Sequence, residues 1–402
     1  MDTIFKRLTF SLDTLTVFRP VMDSSVLSSF YRLCRAASDG DVTEASCRYA
    51  GVYYRLREAG FAGVGEYVLD VLKYSELPFA KAMATGAAEA SYLAAAERDV
   101  RILSEAACLS CEDIKRQLMH LPGGYNDIIG TLPEWETGVS LSFDALKSFY
   151  RQNGSGPLAK YRAFLWSGDK MTPVASPDPV RFDRLVGYDW QRQAVLENTR
   201  ALLAGRFVNN ILLYGDSGTG KSATVKSMLN VTEFSSLTLI EVPKQSLTGL
   251  PDLLSELAWR PRKFIIFIDD LSFEDGDAKF SALKVILEGS LGRRPPNVAV
   301  YVTSNRRQLV RRNFSDRDEM NNEETVEEKT SLSDRFGLRI PFFSLNQEDY
   351  LKTAETLARQ AGVAMDDAAL HRAALQWAIE HGARTPRTAR QFADDLAAKQ
   401  PG

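Results

Sequence analysis

A glycine-rich run in the middle of the chain carries residues whose types and spacing suit phosphate chemistry. It reads Gly215-Asp-Ser-Gly-Thr-Gly-Lys-Ser222, follows a short apolar stretch and precedes a predicted helix. Glycines at these positions let the backbone bend so that successive N–H groups converge on phosphate oxygens, and the helix dipole adds to the attraction. Lys221 is expected to reach the β- and γ-phosphates, and Ser222 to offer its hydroxyl to Mg²⁺. The predicted phosphate contacts are Gly215, Asp216, Ser217, Gly218, Thr219, Gly220, Lys221 and Ser222.

An apolar stretch that ends in two carboxylates supplies the second half of such a site. The segment Phe264-Ile-Ile-Phe-Ile-Asp-Asp270 predicts a buried strand, with one strand and one helix between it and the glycine-rich run. In that arrangement Asp269 lies beside the phosphates and can hold Mg²⁺ through water. Either Asp270 or the longer side chain of Glu274 could orient the attacking water, and the sequence leaves this open.

Three further side chains are candidates for contact with the γ-phosphate or its attacking water. Asn305 follows a predicted strand and can hydrogen-bond that water. Arg335 follows an acidic stretch over residues 316–329, and a guanidinium supplied to a neighbour's phosphate stabilises the charge of phosphoryl transfer. Arg387 lies in a helical segment and could reach back to the phosphates. The competing interpretations are a strand-end turn, a surface arginine paired with Asp334, and a solvated basic face.

The chain around these residues changes its pattern twice. Residues 1–170 carry apolar positions at three- and four-residue spacing, which predicts a mostly helical domain that recognises a partner. A proline-containing linker is predicted over 171–181. In residues 182–345 apolar strands alternate with helices, which indicates a parallel sheet. Helical spacing returns in 346–402 and predicts a small lid subdomain.

In this order, the motifs resemble those of the AAA+ ATPases over roughly residues 182–396. In that family's terms the glycine-rich run resembles Walker A and residues 264–270 resemble Walker B. Asn305, Arg335 and Arg387 resemble sensor 1, the arginine finger and the sensor 2 arginine. Several stretches, such as Ile-Asp-Asp-Leu-Ser-Phe-Glu, are similar to a bacterial AAA-type ATP-binding family of unassigned function. The resemblance implies a P-loop α/β fold with a parallel sheet flanked by helices, a helical C-terminal lid, and ATP and Mg²⁺ as ligands.

The resemblance also implies where the adenine base would lie, and this sequence departs from the family's pattern at two places. Residues 184–188 resemble the family's adenine-side segment, which would put Val186 and Tyr188 near the base. Asp270 stands where hydrolytic members often carry Glu, so fast hydrolysis is in doubt. Residues 243–247 lack the aromatic–apolar–Gly loop with which unfoldases grip polypeptide, which makes a protein-threading role less favoured.

Charge and composition exclude several classes of function. With 49 basic and 52 acidic side chains the net charge is −3, which argues against nucleic-acid binding by bulk charge. No apolar run reaches the roughly 18 residues that a membrane helix needs, and the first residues make a poor secretory signal. We therefore expect a cytoplasmic protein without membrane contact. Cys108 and Cys111 could join Cys34, Cys47 or His120 in a zinc site, although buried helix cysteines are the simpler interpretation.

Taken together, the sequence predicts a Mg²⁺-dependent ATPase that remodels an unidentified protein or nucleic-acid partner. By resemblance, its site is completed between copies in a hexameric ring or an open helical stack. A kinase acting on a small molecule is less favoured, because it would not need Asn305, Arg335 and Arg387. The main alternative is a nucleotide-gated switch that loads nucleic-acid complexes with little turnover. Its support is a set of arginines that could contact phosphates: Arg293, Arg294, Arg306, Arg307, Arg311 and Arg312.

Overall fold

A computed structural model of the chain describes residues 4–123, 125–273, 283–284, 287, 294–306 and 335–399. The contacts within it divide the chain into two units. Unit 1 comprises Met1–Lys160 and Trp259–Pro261, and unit 2 comprises Tyr161–Ala258 and Arg262–Gly402. The backbone therefore passes from one unit to the other three times, after residues 160, 258 and 261.

Unit 1 is built from amphipathic helices that share one apolar core. In the helix over Ser25–Ser38, the buried residues include Val26, Phe30, Leu33 and Ala37, which is the spacing of a helix with one buried face. This unit confirms the helical pattern predicted for the first part of the chain. Its helices are α1 (Ile4–Asp13), α2 (Ser25–Ser38), α3 (Val42–Glu58), α4 (Val64–Tyr74), α5 (Pro78–Thr85), α6 (Ala90–Cys108), α7 (Cys111–Met119), α8 (Asn126–Gly130), α9 (Phe143–Asn153) and α10 (Pro157–Lys160).

A buried carboxylate in unit 1 has a structural explanation. Asp99, on α6, is fully buried, and its Oδ2 accepts hydrogen bonds from the main-chain N–H groups of Thr16, Val17 and Phe18 at 2.8, 2.7 and 3.0 Å. Hydrogen bonds of this kind offset the cost of burying a charge. Asp99 therefore fixes the turn that follows α1.

The cysteines of unit 1 are split between its interior and its surface. Cys34 and Cys111 are buried, whereas Cys47 and Cys108 are exposed. Burial raises the pKa of the Cys34 thiol to about 12, and Cys111 Sγ accepts a hydrogen bond from the N–H of Trp135 at 3.3 Å. Within the described ranges, no group of three or more His, Cys, Asp or Glu side chains is arranged to hold a metal ion.

The described residues of unit 2 contain one sheet of seven strands. The strands are β1 (Ala163–Trp166), β2 (Met171–Pro173), β3 (Ile211–Gly215), β4 (Leu237–Glu241), β5 (Lys263–Ile268), β6 (Val298–Ser304) and β7 (Leu338–Phe342). They lie in the order β2-β1-β4-β5-β6-β3-β7, and every neighbouring pair is parallel except β1 with β2. Every residue of β3 and β6 is buried, which explains their continuous apolar runs. Because the five strands from β3 to β7 are parallel, their carboxyl ends meet at one edge.

Two strands lie where the sequence indicated other structure. Residues 171–173, within the predicted linker over 171–181, pair as β2 with β1. β1, within the predicted helical domain over 1–170, pairs in turn with β4. Strands of four and three residues are too short to show the two-residue alternation from which a strand is predicted.

Helices cover the sheet and continue into a lid. α11 (Asp189–Leu203), α12 (Lys221–Ser227) and α13 (Leu250–Ala258) pack with the strands, and α14 (Gln347–Gln360), α15 (Asp367–Glu380) and α16 (Pro386–Lys399) form the lid with its own apolar core. The predicted fold class, a parallel α/β sheet flanked by helices with a helical lid, is confirmed. The sequence also predicts a helix over residues 280–288, and most of it, like all of the acidic stretch over 316–329, lies outside the described residues. No helix within the described ranges is both long and apolar enough to cross a bilayer.

Candidate functional site

The loop between β3 and α12 is shaped by close approaches that only glycine permits. Gly215 and Gly218 have φ angles of +132° and +78°, where residues with a Cβ are strained. A Cβ on Gly215 would also lie 2.2 Å from the carbonyl oxygen of Phe342 in β7. The loop therefore leaves β3 in direct contact with β7 and leads into Lys221 at the start of α12.

Lys221 lies against the loop and not in solvent. The residue is 6% exposed, and its Nζ donates hydrogen bonds to the main-chain oxygens of Gly215 at 2.8 Å and Asp216 at 2.6 Å and to Asn305 Oδ1 at 3.1 Å. Burial lowers the pKa of this ammonium group, and nearby carboxylates act in the opposite direction. A cation that is partly withdrawn from water attracts an anion more strongly than one at the surface.

The carboxylate of Asp269 faces the start of α12. Asp269 follows β5 directly, and its Oδ1 accepts hydrogen bonds from Ser222 Oγ and from Thr303 Oγ1, both at 2.5 Å. Ser222 is the second residue of α12, so the fold brings a hydroxyl and a carboxylate together at the end of the loop. Oxygen ligands of this kind are those that Mg²⁺ prefers.

Asn305 joins the loop to the second carboxylate. Its Oδ1 accepts a hydrogen bond from Lys221, and its Nδ2 donates one to Asp270 Oδ1 at 2.6 Å. An ammonium group only donates and an ionised carboxylate only accepts, so these partners fix the orientation of the amide. The structure thus brings together five of the predicted site residues: Lys221, Ser222, Asp269, Asp270 and Asn305.

The loop between β3 and α12 (the phosphate loop) contacts the lid at the first turn of α16. The N–H of Arg387 donates a hydrogen bond to the carbonyl oxygen of Gly218 at 3.2 Å. A Cβ on Gly218 would lie 3.2 Å from the Cβ of Arg387, so the two backbones are in contact. Arg387 and Arg390 line the same cavity as Lys221. Arg390 is on the same helix face as Arg387 because it follows three residues later.

A second connection runs from the loop to the segment between β7 and α14. Asp216 Oδ2 accepts hydrogen bonds from the N–H and from the hydroxyl of Ser344, each at 2.7 Å. These two bonds lower the pKa of the Asp216 carboxyl group. The next residue, Leu345, donates its N–H to the carbonyl oxygen of Arg384 at 2.8 Å. The segment is therefore tied to the phosphate loop on one side and to the lid on the other.

Residues that precede α11 form the other wall of the site. Val186 and Tyr188, predicted near the base, both line the cavity. Tyr188 packs its ring on that of Phe342, with centroids 4.9 Å apart, and donates its hydroxyl to the carbonyl oxygen of Phe343 at 2.5 Å. The Arg192 guanidinium donates a hydrogen bond to the carbonyl oxygen of Leu185, in the stretch that precedes α11. These contacts hold the wall against β7.

The walls enclose a cavity of about 480 Å³, and the described residues that line it carry an excess of positive charge. This volume is within the range of roughly 300–1,000 Å³ that is typical of small-molecule sites. Among the described residues that line the cavity, two have carboxylates, Asp269 and Asp270. The cationic side chains that line it are Arg184, Arg192, Lys221, Arg387 and Arg390. Such a balance, next to a helix N-terminus, favours a polyanionic ligand that carries a metal cation.

Arg335 lies apart from this cavity. It is exposed and is not among the residues that line the cavity. Arg335 lies three residues before Leu338, which begins β7 and pairs with Ile211 at the start of β3, so Arg335 is close to the amino edge of the sheet. The phosphate loop leaves from the opposite, carboxyl edge. Glu274 lies outside the described residues.

The arginines predicted to contact nucleic acid have different environments. Arg294 is only partly exposed, and its guanidinium donates hydrogen bonds to Asn210 Oδ1 and to the carbonyl oxygen of Val208 at 2.6 Å. Burial lowers the pKa of Arg294. It therefore braces the loop before β3. Arg306 is exposed, and the others lie outside the described residues: Arg293, Arg307, Arg311 and Arg312.

Sequence reasoning missed residues that act through the predicted ones. Thr303 contacts Asp269. In the sequence it could have been noticed as a polar residue at the end of a predicted buried strand, two positions before Asn305. Ser344 gave no signal, because its partner Asp216 is 128 residues away in the chain.

The order of the parallel strands, the phosphate loop after β3 and the helical lid after β7 agree with the P-loop α/β fold that the resemblance to the AAA+ ATPases implies. A family model described as "Protein of unknown function (DUF815)" matches residues 159–400, and the chain belongs to this family.

Two solved structures match part of this chain at low sequence identity. The Holliday junction branch migration motor RuvB of Thermotoga maritima is 17% identical, with a TM-score of 0.39 over 54% of this chain. The chain spans 63% of that motor's length. A DNA replication initiation factor is 13% identical, with a TM-score of 0.37 over 56% of this chain and 66% of that one. No curated protein sequence matches the chain.

Proposed function

We propose that this chain is a Mg²⁺-dependent ATPase that couples ATP binding and hydrolysis to the remodelling of a macromolecular partner. One observation carries the proposal: a buried lysine, a hydroxyl–carboxylate pair and a bridging asparagine converge on one cationic cavity at the end of a phosphate loop. A simple anion site would need the loop and Lys221, but not a carboxylate beside Ser222.

The chain's own residues divide the work. Lys221 and the first N–H groups of α12 hold the phosphates, and Val186 and Tyr188 form the wall at the base. The carboxylate of Asp270 accepts a hydrogen bond from Asn305, and it can accept a proton from the attacking water.

The hydroxyl of Ser222 and the carboxylate of Asp269 fit a Mg²⁺ ion. Both are hard oxygen ligands, and Mg²⁺ at phosphate sites usually takes one or two protein oxygens while water and phosphate supply the rest. When bound, the ion neutralises charge that develops on the phosphates during transfer. Ser222 and Asp269 are therefore the residues that would hold the metal in the proposed reaction.

We further propose that Arg335 acts on the nucleotide of a neighbouring copy, in a hexameric ring or a helical stack. Its place at the amino edge of the sheet supports this, because β7 alone separates the two edges by about 13 Å at the usual rise of a strand. Arg387 approaches the chain's own nucleotide from the lid.

Partner recognition is proposed for unit 1, because the phosphate loop and the lid both belong to unit 2. A nucleotide-gated switch with little turnover, acting on nucleic-acid complexes, is the second candidate. The observation that favours it is Asp270, whose carboxylate is one methylene shorter than that of Glu and is already engaged by Asn305.

Nucleotide binding and phosphate release measured together test the proposal. The wild-type chain should bind ATP and release phosphate only with Mg²⁺, and Lys221→Ala should abolish binding because the loop loses its one buried cation. Equal ATP affinity in wild type and Lys221→Ala would contradict the proposed site. Tight binding with negligible phosphate release, with duplex DNA present or absent, would favour the switch.

A further inference from the structure

Thr303 contacts both aspartates of the candidate site with its single hydroxyl group, Asp269 through its carboxylate and Asp270 through its main-chain N–H. It is the penultimate residue of β6 and is 1% exposed. Its Oγ1 donates a hydrogen bond to Asp269 Oδ1 at 2.5 Å and accepts one from the N–H of Asp270 at 2.8 Å. A hydroxyl group has one proton to donate, and here that proton is used on Asp269. Thr303 is thus committed to the two aspartates.

The backbone at Asp270 needs such support. Its φ angle is +48°, in the left-handed region that non-glycine residues seldom adopt. A conformation of this kind persists only where the surroundings hold it. The next residue, Leu271, donates its N–H to the carbonyl oxygen of Thr303 at 2.8 Å, and Asn305 holds the Asp270 side chain. The turn after β5 is therefore attached to the end of β6 at each of its three residues.

We infer that Thr303 is a positioning residue of this site: its hydroxyl sets the directions in which the side chains of Asp269 and Asp270 point. The inference rests on the proposed function, since it concerns how the metal and water residues of that function are held. Without the hydroxyl, Asp269 keeps Ser222 as a partner but can rotate, and the N–H of Asp270 loses its acceptor.

The neighbouring Ser304 provides a matched control. It is also fully buried, and its hydroxyl donates a hydrogen bond to the carbonyl oxygen of Leu271 at 2.7 Å and accepts one from the N–H of Arg306 at 3.1 Å. Both partners are main-chain groups. Ser304→Ala therefore removes a buried hydrogen bond from the same turn and leaves the bonds of Thr303 to the Asp269 carboxylate and the Asp270 N–H in place.

The experiment compares full-length Thr303→Val, Thr303→Ser and Ser304→Ala with wild type in two measurements. The first is the Mg²⁺ concentration needed for half-maximal binding of a fluorescent, non-hydrolysable ATP analogue. The second is kcat and KM for ATP. We expect Thr303→Val to need about tenfold more Mg²⁺, as one hydrogen bond to a charged group predicts. We expect its kcat to fall about 10- to 100-fold with little change in KM.

Thr303→Ser should restore both values to within about threefold of wild type, because it keeps the hydroxyl, and Ser304→Ala should lie near wild type. Equal effects of Thr303→Val and Ser304→Ala would overturn the inference, as would an unchanged Mg²⁺ requirement in Thr303→Val. If Thr303→Val does not fold, Thr303→Ala takes its place. A wild-type chain that binds the analogue with Mg²⁺ but releases no phosphate would overturn the proposed hydrolysis, while a Mg²⁺ shift in Thr303→Val would still support the positioning role.

Discussion

At the scale of single residues, the side-chain amide of Asn305 connects the other polar groups of the site. It touches the buried ammonium group of Lys221 through its oxygen and the carboxylate of Asp270 through its nitrogen. A substitution at Lys221 or Asp270 therefore alters the bonding of the other through Asn305. The effects of substitutions in this group on the free energy of ATP binding should be non-additive.

Asp269→Asn should retain ATP binding and lose Mg²⁺-dependent turnover. The amide oxygen can still accept a hydrogen bond from Ser222, but it carries no charge to hold the metal. Phosphate release over a Mg²⁺ titration measures the loss, and ATP affinity measured without metal is the control. Turnover at the wild-type rate would assign the metal to another carboxylate.

The residue that orients the attacking water can be identified by ranking two substitutions. If Asp270 has this role, Asp270→Asn should lower kcat about 100-fold or more, and Glu274→Gln should have a smaller effect. The reverse order in a steady-state assay would give the role to Glu274. Asn305→Ala provides a further check, because it frees the Asp270 carboxylate from its described side-chain donor.

At the scale of elements, the phosphate loop is the meeting point of the sheet and the lid. Gly215 lies against β7, Gly218 contacts the first turn of α16, and Asp216 is bonded to Ser344 just before α14. The loop is therefore bonded to the segment that leads into the lid and to the first turn of the last lid helix. Lid movement should accompany phosphate binding.

The bond between Asp216 and Ser344 should make the stability of unit 2 depend on pH in the acid range. The folded pKa of Asp216 is lowered from its ordinary value of 3.8, so the stabilisation is present above that value and is lost as the pH falls through the folded pKa. The difference in Tm between wild type and Asp216→Asn should be constant from about pH 8 to 5 and should shrink in stronger acid. A difference that grows in acid would contradict this linkage.

The elements that the sequence predicted well are those with local signals. The glycine pattern marks the loop because the positive φ angles are a property of the residues themselves, and β3, β5 and β6 are continuous apolar runs. β1 and β2 are too short for any pattern, and each becomes a strand only through its neighbour in the sheet. The roles of Thr303 and Ser344 depend on which strand ends lie side by side, and one sequence does not give that register.

At the scale of the whole molecule, the position of Arg335 predicts assembly. Arg335→Ala should bind ATP normally and hydrolyse it slowly, since a charge-complementing arginine can contribute about 10³–10⁵ in rate. Mixing Arg335→Ala with Lys221→Ala should recover activity, because a mixed assembly contains interfaces with an intact loop on one side and an intact Arg335 on the other. An inactive mixture in which native mass spectrometry finds mixed assemblies would rule out action between copies.

The stability of unit 1 should depend on a residue distant in sequence. Arg260 is nearly buried, and it donates hydrogen bonds to the carbonyl oxygen of Ser155 at 2.7 Å and to Glu76 Oε1 at 3.0 Å. Arg260→Met should lower the free energy of unfolding by about 1–3 kcal/mol, measured by denaturant titration of the full chain. The control is Arg48→Met, which breaks an exposed pair with Glu44 and should cost less than about 1 kcal/mol.

The membership of Trp259–Pro261 in unit 1 bears on how parts of this chain can be exchanged. The family match over residues 159–400 includes these three residues but not Glu76 and Ser155, the partners of Arg260. A chimera joined at residue 160 alone would separate Arg260 from Ser155 and Glu76. An exchange of the front half keeps these contacts when Trp259–Pro261 is exchanged together with the first 160 residues, which takes two further, non-adjacent junctions.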